Sequence, residues 1–160
     1  MRLIGRVFVT GDKHCNFMSD LDYKKVEVFC KRFNTTTDDV MIVLGDHGVA
    51  YDGAWSDHHA KKKLGKLPIT FVMIRGNHDM RPSRTWQRLL VRKPGVIEGW
   101  FYEDPDVKNI LYTDEYGWYM FNDIRTFIIG GAYSVDKYYR IRNGKTLMYN
   151  RQFLGFNINE

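Results

Sequence analysis

The sequence predicts an α/β fold built from strand–helix–strand units. Three short apolar runs each lead into a glycine followed by a polar residue that can bind metal, at Val7–Asp12, Met41–Asp46 and Phe71–Asn77. The three polar residues lie 34 and 31 residues apart, which is about the length of a strand, a helix and a return strand. The apolar positions are consecutive rather than alternating, as is typical of parallel strands covered on both faces.

Length and composition predict one domain over residues 1–160. The chain has 160 residues, 44% of them hydrophobic, which is enough to bury a core without a disulfide or metal. Apolar residues run throughout and only four prolines occur, which excludes a collagenous or disordered chain. The longest apolar runs, such as Val40–Leu44, contain about five residues, whereas a membrane-spanning helix needs about twenty. We therefore expect no membrane partner.

The segments between and after the three strands predict helices. Asp20–Phe33 carries apolar residues partly at helical spacing, and Ala54–Leu64 forms a second candidate that ends before Pro68. A third helix is predicted at Pro82–Val91, because proline is favoured in the first turn of a helix.

The second half of the chain predicts strands. Ile110–Tyr112, Gly117–Phe121 and Ile124–Ile129 are rich in aromatic and β-branched residues, and Asn122 with Asp123 forms a favourable tight hairpin turn. We expect the dense aromatic residues of this half to fill the core and the strand faces. The predicted sheet is therefore mixed.

Charge and cysteine content bear on partners and compartment. The 24 lysines and arginines exceed the 19 acidic residues, and the net charge of +5 weakly favours phosphates or nucleic acid as partners. Cys15 and Cys30 alone make no disulfide framework, and Met1–Val9 is typical of a first strand rather than a signal peptide. We expect a cytoplasmic protein. Nucleic-acid binding through the basic, aromatic-rich C-terminal half is the weaker alternative.

The three apolar runs bring a set of metal-ligating side chains to one edge of the sheet. The loops that leave the carboxyl ends of parallel strands share that edge, where ligands bind. Those loops carry Asp12, His14, Asp46, Asn77 and His78. Carboxylate, amide and imidazole ligands together suit divalent Mn, Fe, Zn, Co or Ni better than Ca.

The same residues resemble a known family. Gly11–His14, Gly45–Asp46 and Gly76–Asp79 are similar to the D-x-H, G-D and G-N-H-[DE] motifs of the calcineurin-like metallophosphoesterases. Gly130–Lys137 also resembles a stretch of the bacterial and phage-type members. The resemblance covers about residues 1 to 140 and implies a βαβ sandwich with a mixed sheet.

By that resemblance, each motif residue has an implied role. Asp12 and His14 would bind a first metal, Asp46 would bridge two metals, and Asn77 would bind the second. His78 would stabilise the transition state or protonate the leaving oxygen. Two metals about 3.5–4 Å apart share a hydroxide that attacks a phosphomonoester or phosphodiester in line.

Three further residues are candidates for roles beside these ligands. Asp79 would act with His78 in catalysis by orienting it, or would instead cap the helix predicted near Pro82. Arg81 and Arg140 are candidate contacts for the substrate phosphate, with a surface role as the alternative for each.

One departure from the family pattern concerns the metal ligands. The family continues with another histidine and a G-H-x-H motif, but the five histidines here stand at positions 14, 47, 58, 59 and 78. The fold is therefore expected to be C-terminally shortened relative to the family, and the second metal keeps only Asp46 and Asn77. His47, next to Asp46, is the best substitute ligand, with local packing as the alternative. We expect nominally two metals, or only one.

The sequence supports two hypotheses of function. In the first, the chain is a metal-dependent phosphoesterase, whether or not the missing histidines impair it. In the second, it is a degenerate relative that serves as a binding or interaction module. Apolar residues in 146–160 would cover the open sheet edge or mediate association into a homo-oligomer.

Overall fold

A computed structural model describes residues 5–11, 20–49, 55–77, 79, 81–82 and 86–131. The described residues form two helices and eight strands. In chain order these are β1 (Val7–Thr10), α1 (Asp20–Phe33), β2 (Val40–Leu44), α2 (Trp55–Leu64), β3 (Thr70–Ile74), β4 (Arg88–Lys93), β5 (Ile97–Glu103), β6 (Ile110–Tyr112), β7 (Tyr116–Phe121) and β8 (Ile124–Ile129).

All eight strands belong to one mixed sheet, as expected. Strands β1, β2, β3 and β6 lie side by side and run parallel. Strand β5 runs antiparallel and pairs with β4 along one side and with β6 and then β7 along the other. Strand β8 pairs antiparallel with β7. The sheet therefore has a parallel half, made of β1, β2, β3 and β6, and an antiparallel half, made of β4, β5, β7 and β8.

The two helices cover one face of the parallel half. Val26 and Cys30 of α1 and Ala60 and Leu64 of α2 pack in one buried cluster with the core strands, including Phe71. The prediction of α1 is confirmed from its first residue to its last, and α2 is confirmed as well. Neither described helix is long and apolar enough to cross a membrane.

The sheet curls, so that its other face packs against itself. Val72 of β3 is buried in a second cluster with Ile97 and Phe101 of β5, Tyr119 of β7 and Ile128 of β8. Burial alternates along β5, where Ile97 and Phe101 point inward and the residues between them at positions 98 and 100 are exposed. The antiparallel half thus has an inner face in this cluster and an outer face turned away from it.

The predicted strands of the second half are confirmed, together with the turn that joins the last two. Asn122 and Asp123 have positive φ angles of 48° and 62°. Two consecutive residues in this region define the hairpin turn whose twist matches that of the flanking strands. The turn fixes the β7–β8 register, in which Phe121 lies opposite Ile124.

The helix predicted at Pro82–Val91 is wrong. The described residues 82 and 86–91 contain no helical turn, and Arg88–Lys93 forms strand β4. Leu89 and Val91 are partly buried between exposed neighbours, which is the period of a strand. Pro94 and Gly95, the latter with a φ of 72°, form the turn into β5. The turn chemistry and the long pairing with β5 outweigh the helix signal of the proline.

An ion pair between the exposed Arg6 and the buried Asp39 ties the starts of β1 and β2 together. The Asp39 carboxylate accepts hydrogen bonds from the Arg6 Nε at 2.9 Å, from the Arg6 backbone N–H at 2.8 Å and from the Thr36 N–H at 2.8 Å. The guanidinium of Arg6 is the main cause that holds the pKa of Asp39 at about 2, against the desolvation that would raise it. Because this pKa is lowered on folding, the pair stabilises the fold above about pH 4, and the effect is lost as the pH falls through about 2.

Replacing Asp39→Asn is therefore expected to lower the free energy of unfolding at pH 7 by about 2 kcal/mol, because a charged acceptor for several donors is lost. The difference from the wild type should narrow between pH 4 and pH 2. Urea unfolding followed by circular dichroism at several pH values measures it, with the exposed neighbour Asp38→Asn as the matched control. A difference that is independent of pH would contradict this account.

Candidate metal centre

The carboxyl ends of β2 and β3 place two predicted ligands at one edge of the sheet. The two strands are paired in register up to Leu44 opposite Ile74, and Asp46 and Asn77 follow directly. Strand β1 ends at the same edge. The predicted site residues Asp12, His14, His78 and Arg140 lie outside the described residues.

Asp46 is held in an unusual backbone conformation at this edge. Its φ is 41°, in the left-handed region that non-glycine residues seldom occupy, and it follows Gly45 with a φ of 73°. The residue is only 5% exposed. Such strained, buried residues persist only where the surrounding structure fixes them, and they are concentrated at functional sites.

The Asp46 carboxylate lies directly against the loop that follows β3. A Cβ atom added to Gly76 would meet the Asp46 Oδ1 and the Asp46 backbone nitrogen, at 2.1 and 2.2 Å. Only glycine allows this approach, which brings the carboxylate within one residue of Asn77. The loops that follow β2 and β3 thus meet at Asp46 and Gly76, and we call this meeting point, together with the adjacent Asn77, the cradle.

Asp79 is hydrogen-bonded to both of these loops. Its carboxylate is fully buried and accepts hydrogen bonds from the backbone N–H groups of Gly76 at 2.8 Å, His47 at 3.2 Å and Gly48 at 3.3 Å. Two of these donors follow β2 and one follows β3. One of the two predictions for Asp79 was that it caps a helix, but it caps none among the described residues. Its contacts instead fix the loop of Asp46 on the loop of Asn77.

His47 is buried beside this carboxylate. The residue is 1% exposed, and its Nδ1 lies 3.4 Å from Asp79 Oδ1 and 3.3 Å from the Val49 N–H. Contact with a carboxylate is how metal-ligating histidines are oriented in proteins, whereas the Val49 hydrogen bond requires an unprotonated Nδ1. In either case Nδ1 is engaged within the protein. The metal-ligand role of His47 stays a prediction, and it would use Nε2.

A cationic cluster borders the cradle. The side chain of Arg75, directly before Gly76, is 12% exposed, and its Nη2 lies 3.7 Å from Glu115 Oε1. Arg81 Nε contacts the same carboxylate oxygen at 2.5 Å. Burial lowers the pKa of Arg75, and the Glu115 carboxylate acts in the opposite direction. The buried Nε of Arg75 has no hydrogen-bond acceptor among the described residues.

The end of β8 completes this border. The Gly131 N–H donates to the Arg75 carbonyl at 2.5 Å, and the Gly130 N–H donates to the Glu115 carbonyl at 2.6 Å. The curl of the sheet therefore brings the last strand to the end of β3. The sequence patterns did not single out Arg75 or Glu115 as site residues. The position of Arg75 between a buried strand and Gly76 was the available signal.

The donor chemistry of the cradle fits a divalent cation. Asp46 would supply carboxylate oxygen atoms and Asn77 an amide oxygen atom, and both kinds of ligand suit such an ion. Within the described ranges, no three His, Cys, Asp or Glu side chains are grouped so that they could hold a metal. A complete ligand set thus depends on the predicted ligands Asp12 and His14.

The chain belongs to the calcineurin-like phosphoesterase family, whose model matches residues 5–157. The match extends past residue 140, where the motif resemblance ends. Family membership supports metal-dependent phosphoester hydrolysis in general and the use of divalent metals. No curated protein matches the chain significantly.

Replacing Asp79→Asn should loosen both loops, because the amide group presents an N–H donor to backbone N–H groups. We expect the free energy of unfolding to fall by about 3 kcal/mol. Urea unfolding measures it, and Asp123→Asn in the exposed hairpin turn serves as the control that should change little. Equal effects of the two substitutions would contradict the role assigned to Asp79.

Replacing Gly76→Ala should displace the Asp46 carboxylate and backbone, because the added Cβ overlaps both. We expect a loss of about 2 kcal/mol in the free energy of unfolding. Gly11→Ala is the matched control at the same sheet edge, since a Cβ there meets no atom within 4 Å. Thermal unfolding of the two variants compares them, and a tolerated Gly76→Ala would show that the two loops are not in contact.

Proposed function

We propose that the protein hydrolyses a phosphomonoester or phosphodiester at the cradle between Asp46 and Asn77. The observation that carries the proposal is the contact of the buried Asp46 carboxylate with Gly76. It keeps a strained aspartate, an amide and the Arg75 guanidinium at one edge of the sheet. Such a preorganised, charged site is costly to build and is typical of a catalytic centre.

The metal would be held from two sides. Asp12, His14 and Asp46 form one proposed ligand set, and Asp46 with Asn77 forms the other, to which His47 would add Nε2. A divalent cation there supplies Lewis-acid polarisation of the phosphoryl group and activation of water. The first set has three ligands and the second has two unless His47 joins it, so the first set is the stronger one. We propose that this set binds Mn or a similar ion, and that the second is weak.

The protein side chains bind the substrate and move its proton. Arg75 and Arg81 stand at the border of the cradle, where the Glu115 carboxylate lies within ion-pair distance of both. A guanidinium suits a phosphoryl oxygen, which accepts a charge-assisted hydrogen bond. Arg140 stays a further candidate contact. His78 would donate a proton to the leaving oxygen, and its sequence neighbour Asp79 is hydrogen-bonded to the loop that follows β3.

A second candidate function is a degenerate family member that binds metal or phosphate without turnover. The observation in its favour is the set of two ligands, Asp46 and Asn77, that remains for the second metal. Turnover decides between the two functions, because both predict some affinity for a divalent cation.

Purified protein with added Mn should hydrolyse p-nitrophenyl phosphate or its bis ester. Asp46→Asn should reduce the rate at least about 100-fold, because the carboxylate shared by both ligand sets is lost. The exposed Asp106→Asn is the control and should keep the rate. The absorbance of the nitrophenolate product follows the reaction.

Calorimetry with Mn on the same proteins distinguishes a loss of metal binding from a loss of hydrolysis. Metal binding without hydrolysis of either ester would contradict the enzyme and support the binding module. An unchanged rate in Asp46→Asn would contradict the site itself.

A further inference from the structure

The antiparallel half of the sheet exposes a continuous set of apolar and aromatic side chains. They lie on the outer face of β4, β5, β7 and β8, opposite the second core cluster. We call this set the aromatic face. It consists of Leu90, Trp100, Tyr116, Trp118, Phe127 and Ile129, which are between 39% and 73% exposed.

The pairing of the strands makes these six residues neighbours. Leu90 lies opposite Trp100, Trp118 lies opposite Phe127 with ring centroids 4.8 Å apart, and Tyr116 lies opposite Ile129. Directly opposite residues share one face of a sheet. Contiguous exposed apolar surface of this kind marks an interaction site more often than it marks plain solvent exposure.

Arginines lie among the aromatic rings. The guanidinium of Arg125 stands over Trp118, 4.2 Å from the ring centroid, and that of Arg88 lies 5.7 Å from the Trp100 centroid. With Arg92, three arginines share this face of the sheet with one acidic residue, Glu98. Arg88 and Arg92 are paired with carboxylates, whereas Arg125 has no carboxylate within ion-pair range among the described residues. The face is therefore aromatic and positively charged at once.

We propose that the aromatic face binds single-stranded nucleic acid. Unpaired bases offer flat rings that stack on exposed Trp, Tyr and Phe side chains, and phosphates pair with arginine between them. An apolar protein partner would desolvate the Arg125 guanidinium, which has no carboxylate in ion-pair range among the described residues, whereas a nucleic-acid strand neutralises it. The charge of the face thus favours nucleic acid over a second copy of this chain.

The aromatic face ends at the border of the cradle. Tyr116 follows Glu115, whose carboxylate lies beside Arg75. Ile129 precedes Gly130 and Gly131, and the Gly131 N–H donates to the Arg75 carbonyl. A strand bound along β7 and β8 therefore reaches the sheet edge that carries Asp46. Binding at the aromatic face goes beyond the proposed hydrolysis and does not depend on it.

Fluorescence anisotropy with labelled 15-nucleotide dT and U strands tests the proposal, in EDTA so that no metal-dependent hydrolysis occurs. We expect binding of at least one strand in 50 mM salt. Three phosphate contacts, at a slope of about 0.7 each, should weaken it about 20-fold in 200 mM salt. Preference between dT and U shows whether the DNA or the RNA strand binds more tightly, and a duplex of the same length should bind more weakly.

Variants locate the binding on the aromatic face. Trp118→Ala should weaken it about tenfold, since one stacked base is lost. Arg125→Gln should lower the salt slope by about 0.7. Ile124→Ala is the control, because Ile124 is 67% exposed on the same strand β8 but lies on the opposite side. Unchanged thermal unfolding of all three shows that they fold.

Four results would overturn the proposal. They are no binding of either strand in 50 mM salt, affinity independent of salt, equal binding of the duplex, and equal losses in Trp118→Ala and Ile124→Ala. Sedimentation that shows a dimer dissolved by Trp118→Ala, without binding of nucleic acid, would assign the aromatic face to a second copy instead.

Discussion

The site depends on one buried carboxylate. Burying a charge without partners costs several kcal/mol, and Asp79 meets this cost with three backbone N–H donors from two loops. Because Gly76 is both one of these donors and the residue against Asp46, the hydrogen bonds that satisfy Asp79 also set the position of Asp46. The strained φ of Asp46 is thus maintained by groups outside its own loop. The hydrogen bonds that compensate for the burial of Asp79 therefore also position Asp46.

The curled sheet supplies the second part of the site. Strand β8 belongs to the antiparallel half, yet its end hydrogen-bonds the chain at Arg75, at the end of β3. Glu115, at the bend between β6 and β7, meets Arg75 and Arg81 at the same place. Residues far apart in sequence therefore form one charged border around the cradle. The same curl leaves the outer face of the antiparallel half uncovered by either described helix.

Sequence reasoning could find those features that short-range patterns determine. Consecutive apolar runs predicted the parallel strands, helical spacing predicted α1, and Asn122 with Asp123 predicted a hairpin. It could not find features that depend on long-range pairing. Arg88–Lys93 forms a strand because β5 lies beside it, and the lysine at position 61 is buried because Asp104 lies 2.9 Å from its Nζ. Nothing within the run of three lysines shows which one points inward.

For the site, the sequence predicted the ligands but not their support. Asp46 and Asn77 could be predicted as ligands because each lies in the loop that follows a strand. The function of Asp79 as the group that joins two loops was not, since its donors include His47 and Gly48, more than 30 residues away. Hydrogen bonds from backbone N–H groups cannot be predicted from the pattern of side chains. They are seen only in the folded structure.

Native-state hydrogen exchange tests the central claim about Asp79 most directly. The account predicts that the amide protons of His47, Gly48 and Gly76, which all donate to this carboxylate, exchange slowly and become fast together in Asp79→Asn. Amides at these three positions that exchange in the wild type as fast as an exposed loop would contradict it.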